Sequence, residues 1–494
     1  MRARRSVFFV SLLLCVLATS VLIAQAPKDD PYSQLIAAVL GPSPLEENLR
    51  KLTDEIGGRV SGTEANRRSV EWGVAAFRQA GVDEVHTEKF TMPASWSEGA
   101  TRLDIQGAVP FTARAVSIAW SPAANLEAPV LDLGEGSEDA FVGAGTNVKG
   151  ALILIHQRVL RAWPDLFAEY GNAPPIIDRV LRGGAAGILW MATREQGVLY
   201  RHINALDGKI DRIPQALVAR EDALRMARFI AAAQPLRARL SMPNRTGGPF
   251  EVENVIAEIR GSDKADEIVM IGAHLDSWEL GSGALDNGCN SVLVVEVARA
   301  IRAAGIKPRR TIRFVLWNGE EQGLLGSWAY ARAHRAELDR VVAYVNFDGG
   351  IGHVTGYSLG GRKDIEAAVR EIMKPVESWG MNAHTLDASG GTDHVDFLLE
   401  GVPTLSANQE EGNYLPNYHA TSDTMDKVDI RELKLHTAYA AVTVVGIANR
   451  AGRLGKRQSR AEIEVLIQET GFDKYLKDFG HWEGWVSGQR GRQR

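Results

Sequence analysis

The stretch Glu267-Ile-Val-Met-Ile-Gly-Ala-His274-Leu-Asp276 contains an apolar run of strand length that leads directly into a histidine and an aspartate. Two later apolar runs, residues 311–317 and 341–347, are also followed within three residues by acidic side chains. Continuous apolar runs of this length are typical of strands in a parallel sheet that is buried on both faces. We therefore take these three runs as the centre of the fold.

Segments with helical spacing alternate with these strands, which predicts an α/β domain. Its sheet is expected to be mixed but mostly parallel, with helices on both faces. The predicted strands are residues 254–259, 267–271, 311–317, 341–347 and 402–406, and the predicted helices are residues 287–304, 322–334 and 430–450.

The chain before this domain has two parts with different patterns. Residues 31–80 favour helices and residues 82–92 alternate as a strand, whereas residues 105–245 consist of short apolar runs divided by Gly, Pro and charged stretches. One helix is predicted in this second part, near residues 220–233. The second part loosely resembles an inserted β-rich domain of the protease-associated kind, and an unrelated β-rich insertion fits its pattern equally well.

Residues 1–26 have the three parts of a secretory signal: basic residues at the start, the apolar run 7–23 and the small residues Ala24-Gln-Ala26. We expect the protein to be exported, either secreted or periplasmic, with no stable membrane insertion after processing. An uncleaved anchor is the alternative, because the apolar run has 17 residues and lies at the lower limit for crossing a bilayer.

Composition excludes several classes of protein. The 494 residues carry a formal charge of −5 with 45% hydrophobic residues, which is typical of a globular chain of several domains and does not favour nucleic-acid binding. After signal removal Cys289 would be the one remaining cysteine, so an intramolecular disulfide is excluded. Stability is therefore expected to come from core packing and from bound metal.

Polar side chains converge at one edge of the predicted sheet, because the carboxyl ends of parallel strands meet there. Taken singly, each has an ordinary explanation. The pair Glu320-Glu321 suits the positive end of a helix dipole, and acids beside glycines suit turns. Taken together, two histidines and three carboxylates match the ligands that zinc accepts in proteins. The candidate metal ligands are His274, Asp286, Glu321, Asp348 and His419.

These residues and their spacing resemble the co-catalytic dizinc exopeptidase family, which includes bacterial secreted aminopeptidases and plasma glutamate carboxypeptidases. The likeness covers most of the chain and includes Gly57-Gly-Arg-Val-Ser-Gly62 near its start. It implies a zinc exopeptidase-like fold, two Zn²⁺ per chain and a homodimer. The motifs that carry the resemblance are His274-x-Asp276, Asp286-Asn-Gly288, Glu320-Glu321, Asp348 and His419.

The resemblance also implies a role for each motif residue. Asp286 would bridge two zinc ions, and an unusual cis peptide bond would join it to Asn287. Glu320, which is left without a metal, would be the catalytic base. The remaining ligands would be His274 and Asp348 at one site and Glu321 and His419 at the other.

Neighbouring polar residues are expected to have supporting roles. Asp276 would assist catalysis by accepting the second ring N–H of His274 and fixing its tautomer, as carboxylates beside metal ligands do. Asp393 and His394 lie where the family places pocket or supporting groups, and a surface loop explains them equally well. With Tyr418 they are the candidate substrate-binding residues.

The resemblance suggests a division of the chain. The basic tail at residues 488–494 is expected to fray. The predicted parts are the signal peptide at 1–26, the N-terminal part of the peptidase domain at 27–104, the insertion at 105–245, the catalytic domain at 246–455 and a C-terminal extension at 456–494.

Together these observations predict an exported dizinc metallo-exopeptidase that hydrolyses short peptides or dipeptides with metal-activated water. The alternatives are an aminopeptidase acting on longer peptides, a metal-dependent deacylase of acylated amino acids, a one-zinc glutaminyl cyclase and a receptor-like binding protein. The sequence leaves the direction of cleavage open. An aminopeptidase needs an acid for the substrate ammonium, whereas a carboxypeptidase needs a cation for the carboxylate.

Overall fold

The computed structural model describes residues 31–493, so the predicted signal peptide at residues 1–26 lies outside the described residues. The described chain is built around two main sheets, and a small pair of strands lies between them. Within residues 31–493, none of the helices has the length and apolar character needed to cross a membrane.

The first sheet has seven strands and is mixed, as predicted. Its four central strands are mutually parallel, and the pairs toward both edges are antiparallel. In spatial order the strands are Glu84–Met92, Phe250–Ile259, Arg310–Trp317, Lys264–His274, Val341–Asn346, Thr404–Gln409 and Val354–Ser358.

Helices cover both faces of this sheet. Successive residues of its central strand point to opposite faces, so they belong to two different cores. Val269 and Ile271 belong to a core that includes the helices Cys289–Ala303 and Ile430–Asn449. Met270 belongs to a second core on the other face. The remaining helices around the sheet are Pro31–Leu40, Leu45–Arg50, Glu64–Ala80, Leu325–Ala333, Glu366–Met373, His394–Leu399 and Tyr414–Asn417.

The second sheet is formed by residues between 102 and 242 and has eight strands. Three helices pack with it: Glu138–Ala144, Trp163–Gly183 and Arg220–Ala231. In spatial order its strands are Phe111–Ala113, Arg102–Gln106, Arg237–Met242, Ala124–Asp132, Leu152–Ile155, Gly187–Met191, Gln215–Val218 and Ala115–Ser117.

The expectation of one helix in this second unit was wrong. Its longest helix, Trp163–Gly183, has 21 residues and contains Pro174 and Pro175. Proline removes a backbone N–H and is unfavourable inside a helix, so the sequence pattern indicated a break at this point. Burial of one face, including Tyr170 and Ile177, stabilises the helix against that local cost.

The C-terminal segment forms the helices Arg460–Thr470, Phe472–Asp478 and Trp482–Ser487. The expectation that its basic tail frays was wrong for the described part. Arg490 is 4% exposed, and its guanidinium binds both carboxylate oxygens of Asp396 at 2.7 and 2.9 Å. The N–H of Arg492 donates to the carbonyl of Leu399 at 2.8 Å.

Candidate active site

The predicted polar residues lie at the carboxyl edge of the first sheet. His274 is the last residue of its strand, and Glu320, Glu321 and Asp348 follow the ends of the two strands beside it. The helix-dipole explanation of the glutamate pair was wrong, because the next helix begins only at Leu325. The two glutamates therefore lie in a turn that faces the centre of the edge.

Two groups of side chains have the geometry of metal sites, and they share Asp286. In the first group, Nε2 of His274 lies 3.1 Å from Oδ1 of Asp286 and 3.3 Å from Oδ1 of Asp348. In the second group, Nε2 of His419 lies 2.9 Å from Oε2 of Glu321 and 3.3 Å from Oδ2 of Asp286. Asp286 thus directs one oxygen toward each group.

The residues of both groups fit a pair of divalent cations. Oδ2 of Asp286 and Oε1 of Glu321 are buried and have no hydrogen-bond donor among the described residues. Burial raises the pKa of Glu321 to about 7, although His419 opposes the shift. Buried acids without donors carry an electrostatic cost that a bound cation removes. Two histidines with carboxylates form a donor set suited to zinc.

Glu320 lies beside the first group without belonging to it. Its Oε2 is 4.0 Å from Nε2 of His274. Burial raises the pKa of Glu320 well above its ordinary value. His274 opposes this shift, whereas the charges of Asp348 and Glu321 add to it. A buried carboxylate with a raised pKa is suited to accepting and returning a proton.

The role expected for the Asp276 carboxylate needs correction. Nδ1 of His274 donates to the backbone carbonyl of Asp276 at 2.9 Å, whereas the carboxylate Oδ1 is 3.7 Å away. The carboxylate instead accepts from the hydroxyl of Ser61 at 3.2 Å and from the N–H of Glu320 at 3.4 Å. Asp276 therefore orients His274 through its main chain and the glutamate turn through its side chain.

The turn that carries Asp286 is held by a residue that the sequence analysis did not single out. The carboxylate of Asp423 accepts the N–H groups of Ala284, Leu285 and Asp286 at 3.0, 2.7 and 3.2 Å. The peptide bond between Asp286 and Asn287 is cis, as the family resemblance implies. Asp423 belongs to the same loop as His419, so one loop positions ligands of both groups.

Arg59 is a second residue whose role was missed, although it lies in the glycine-rich motif near the start. It is fully buried, and its guanidinium donates to the carbonyls of Leu275, Ser282 and Gly283 at 2.7, 2.8 and 2.8 Å. Gly283 has φ +62°, and a Cβ there would lie 2.3 Å from Ser277. Arg59 thus joins the turn after His274 to the turn before Asp286.

A cavity of about 600 Å³ opens above the two groups. Helix Trp163–Gly183 and the C-terminal segment contribute an aromatic wall, in which the rings of Phe167 and Phe479 are 6.0 Å apart and those of Tyr170 and Phe479 are 5.1 Å apart. Among the described residues that line the cavity, none is Lys or Arg. Two chain segments that are distant in sequence from the metal ligands therefore shape the space above these ligands.

The candidate substrate-binding residues take different positions. Tyr418 lines the cavity, and its ring stacks on His419 with a centroid distance of 3.6 Å. Asp393 and His394 are almost fully buried and lie outside the cavity wall, where Thr392 takes their place. Nε2 of His394 contacts the carbonyl of Ser389 at 2.9 Å. We expected Asp393 and His394 to contact the substrate directly, but in this structure they do not line the cavity.

Residues 254–444 match the profile of Peptidase family M28. The matched segment is thus similar to the peptidase domain of that family. It contains all five candidate metal ligands and Glu320, and the insertion and the C-terminal helices lie outside it.

Similarities to individual proteins extend beyond this matched segment. Carboxypeptidase Q of Mus musculus is 26% identical over 421 residues, which cover 82% of this chain and 85% of that protein. The crystal structure of a Peptidase M28 precursor from Shewanella amazonensis SB2B has a TM-score of 0.79 at 28% identity and covers 87% of this chain and 98% of that one. A zinc aminopeptidase from Bacillus subtilis shares the fold with a TM-score of 0.65 at 21% identity, over 84% and 97% of the two chains.

Proposed function

We propose that the protein is an exported dizinc exopeptidase that hydrolyses short peptides or dipeptides. The observation that carries the proposal is the pair of ligand groups that share Asp286, with the carboxylate of Glu320 beside them. Three ligands in each group leave room for water and substrate, which is typical of catalytic rather than structural sites.

Each side chain has a task that follows from its position. Bound zinc would supply Lewis acidity, which lowers the pKa of water and polarises the scissile carbonyl. Glu320 accepts the proton of the attacking water and returns it to the leaving amine. The carbonyls of Asp276 and Arg201 each accept a ring N–H, which leaves Nε2 of His274 and of His419 for the metals. Tyr418 lines the cavity, so it remains the candidate substrate-binding residue.

We further infer that cleavage starts from a free amino end. A carboxylate of the substrate would find no Lys or Arg among the described residues of the cavity wall. A substrate ammonium would find the carboxylate of Asp387 at the wall, which is neither a candidate ligand nor the candidate base. The aromatic wall with Phe167, which is 37% exposed, favours a bulky apolar residue.

Export and assembly belong to the same proposal. The signal-like residues 1–26 support export, and the likeness to the dizinc exopeptidase family supports a homodimer. Sedimentation of the purified protein tests the second point, and a fully active monomer would contradict it.

The experiment combines metal analysis with a set of matched peptides. We expect two zinc ions per chain, loss of activity on chelation, and recovery on addition of zinc. Phe-Ala and its carboxyl amide should both be cleaved, whereas N-acetyl-Phe-Ala should resist. Cleavage of the acetylated but not the amidated peptide would instead indicate that the enzyme recognises a free carboxyl end. Release of acetate from acetyl-phenylalanine would favour the deacylase, and a protein without metal or turnover would favour the receptor-like alternative.

A further inference from the structure

The loop that carries His419 is joined to the insertion by a short antiparallel bridge. Tyr200 pairs with Ala420 in this bridge. The N–H of Arg201 donates to the carbonyl of His419 at 2.9 Å, and the N–H of Thr421 donates to the carbonyl of Leu199 at 3.0 Å. The insertion thus contributes the backbone segment that pairs with this metal-ligand loop.

The same bridge fixes the imidazole itself. Nδ1 of His419 donates to the carbonyl of Arg201 at 3.0 Å, which leaves Nε2 directed at Glu321 and Asp286. His419 adopts a left-handed backbone conformation with φ 58°, which is uncommon for a residue with a side chain. Its position therefore depends on contacts that hold the loop from outside.

Arg194 contacts both sides of the bridge. Its Nη2 donates to the carbonyl of Tyr418 at 3.0 Å, and its guanidinium lies 3.8 Å from the ring centroid of Tyr200. The guanidinium also pairs with Glu169 at 3.3 Å, and the side chains of this pair are 4% and 1% exposed. A planar, buried cation with a fixed partner is suited to holding a carbonyl in one place.

We propose that Arg194 is a positioning residue, which holds the His419 loop so that the imidazole binds the metal shared by Asp286 and Glu321. The proposal rests on the proposed dizinc function and extends it to a residue outside the segment that matches family M28. Its effect on the two sites is unequal, because the loop supplies the ligand His419 to the second group, whereas it reaches the first group through Asp423 and the shared Asp286. Loss of Arg194 should therefore weaken the second metal site more than the first.

The test measures zinc binding by equilibrium dialysis with the full chain. We expect Arg194→Met to weaken zinc binding at the His419 group by about 10- to 100-fold, as loss of a supporting contact to a metal ligand does, and to weaken zinc binding at the His274 group less. Arg194→Lys retains a positive charge beside Glu169 but lacks the planar fork. It should fold and lose part of the affinity for the second zinc.

Arg220→Met serves as the control. It removes an arginine of the insertion that binds the carbonyls of Gln157 and Ala192 at 2.9 and 3.1 Å. This variant should keep two zinc ions, and the rise in melting temperature on zinc addition should shrink in the Arg194 variants alone.

The outcomes separate the proposals. Unchanged affinity for the second zinc in the two Arg194 variants would overturn the positioning role, and so would the same loss of the second zinc in Arg220→Met. If the protein without substitutions binds no zinc, this result would instead contradict the proposed function. Preferential loss of the second zinc in the Arg194 variants, with an intact control, supports both.

Discussion

Oε2 of Glu321 lies 2.9 Å from Nε2 of His419, whereas Oε2 of the adjacent Glu320 lies 4.0 Å from Nε2 of His274. Two neighbouring carboxylates in one turn therefore face different partners. The first is placed as a metal ligand, and the second is placed where a proton can be exchanged with water and substrate.

This difference predicts opposite effects of one substitution at the two positions. Glu320→Gln should keep both zinc ions and reduce turnover by a factor on the order of 100 to 10,000, because an amide does not accept the proton. Glu321→Gln should lose zinc from the His419 group. Metal analysis and kcat measured on the same samples check both expectations. Near-normal turnover of Glu320→Gln with two zinc ions bound would contradict the role of Glu320.

Asp423 should be needed for the metal centre although it is not placed as a ligand. Asp423→Ala leaves three backbone N–H groups of the Asp286 turn without their acceptor, which costs about 1–3 kcal/mol for each group that stays buried. We expect lower stability of the metal-free protein in urea together with loss of zinc.

Asp429→Ala is the matched control for Asp423→Ala. Asp429 also accepts backbone N–H groups, at the start of helix Ile430–Asn449, and its loss should cost about 1 kcal/mol without affecting zinc. Two zinc ions of normal affinity in Asp423→Ala would refute the positioning of Asp286 by this residue.

The C-terminal tail should contribute to stability through its buried ion pair. Arg490→Met leaves the carboxylate of Asp396 buried without its cation, and we expect a loss of about 3–5 kcal/mol in the free energy of unfolding. Removing both charges in Asp396→Asn/Arg490→Met should recover part of this loss, as a double-mutant cycle in chemical denaturation measures. Equal stability of Arg490→Met and the unchanged protein would contradict the pairing.

His334 should make stability fall as the pH rises. Hydrogen bonds with Glu337 and Glu88 raise its pKa from 6.5 to about 9, and the Glu88 contact is 2.8 Å long. The folded state then binds the proton more tightly than the unfolded state. The stabilisation is complete below pH 6.5 and is lost as the pH approaches 9. Melting temperatures of His334→Gln should decline less over this interval, and parallel curves would contradict the prediction.

The sequence predicted the centre of the fold because that part obeys local rules. Apolar runs that end in His274, the glutamate pair and Asp348 identify buried parallel strands and the edge where they meet. The shared position of Asp286 came from the family resemblance. Its distances of 3.1 and 3.3 Å to the two histidines agree with that role.

The residues that the sequence did not reveal act across long separations. Arg59 binds carbonyls 216 to 224 positions away, and Arg194 binds one 224 positions away, so no local pattern reveals the role of either residue. Helix Trp163–Gly183 was hidden for the opposite reason. Its two prolines gave a strong local signal for a break, which tertiary packing overrides.

The insertion leaves and rejoins the peptidase sheet at neighbouring points. Trp96–Ser97 pairs with Arg245–Thr246, and just beyond them Met92 pairs with Phe250 at the start of the edge-strand ladder. Closing a flexible loop of about 150 residues costs about 3 kcal/mol more than closing one of about four residues. Once the insertion has folded, its adjacent ends act as such a short turn. Completion of the sheet edge is therefore expected to follow the folding of the insertion.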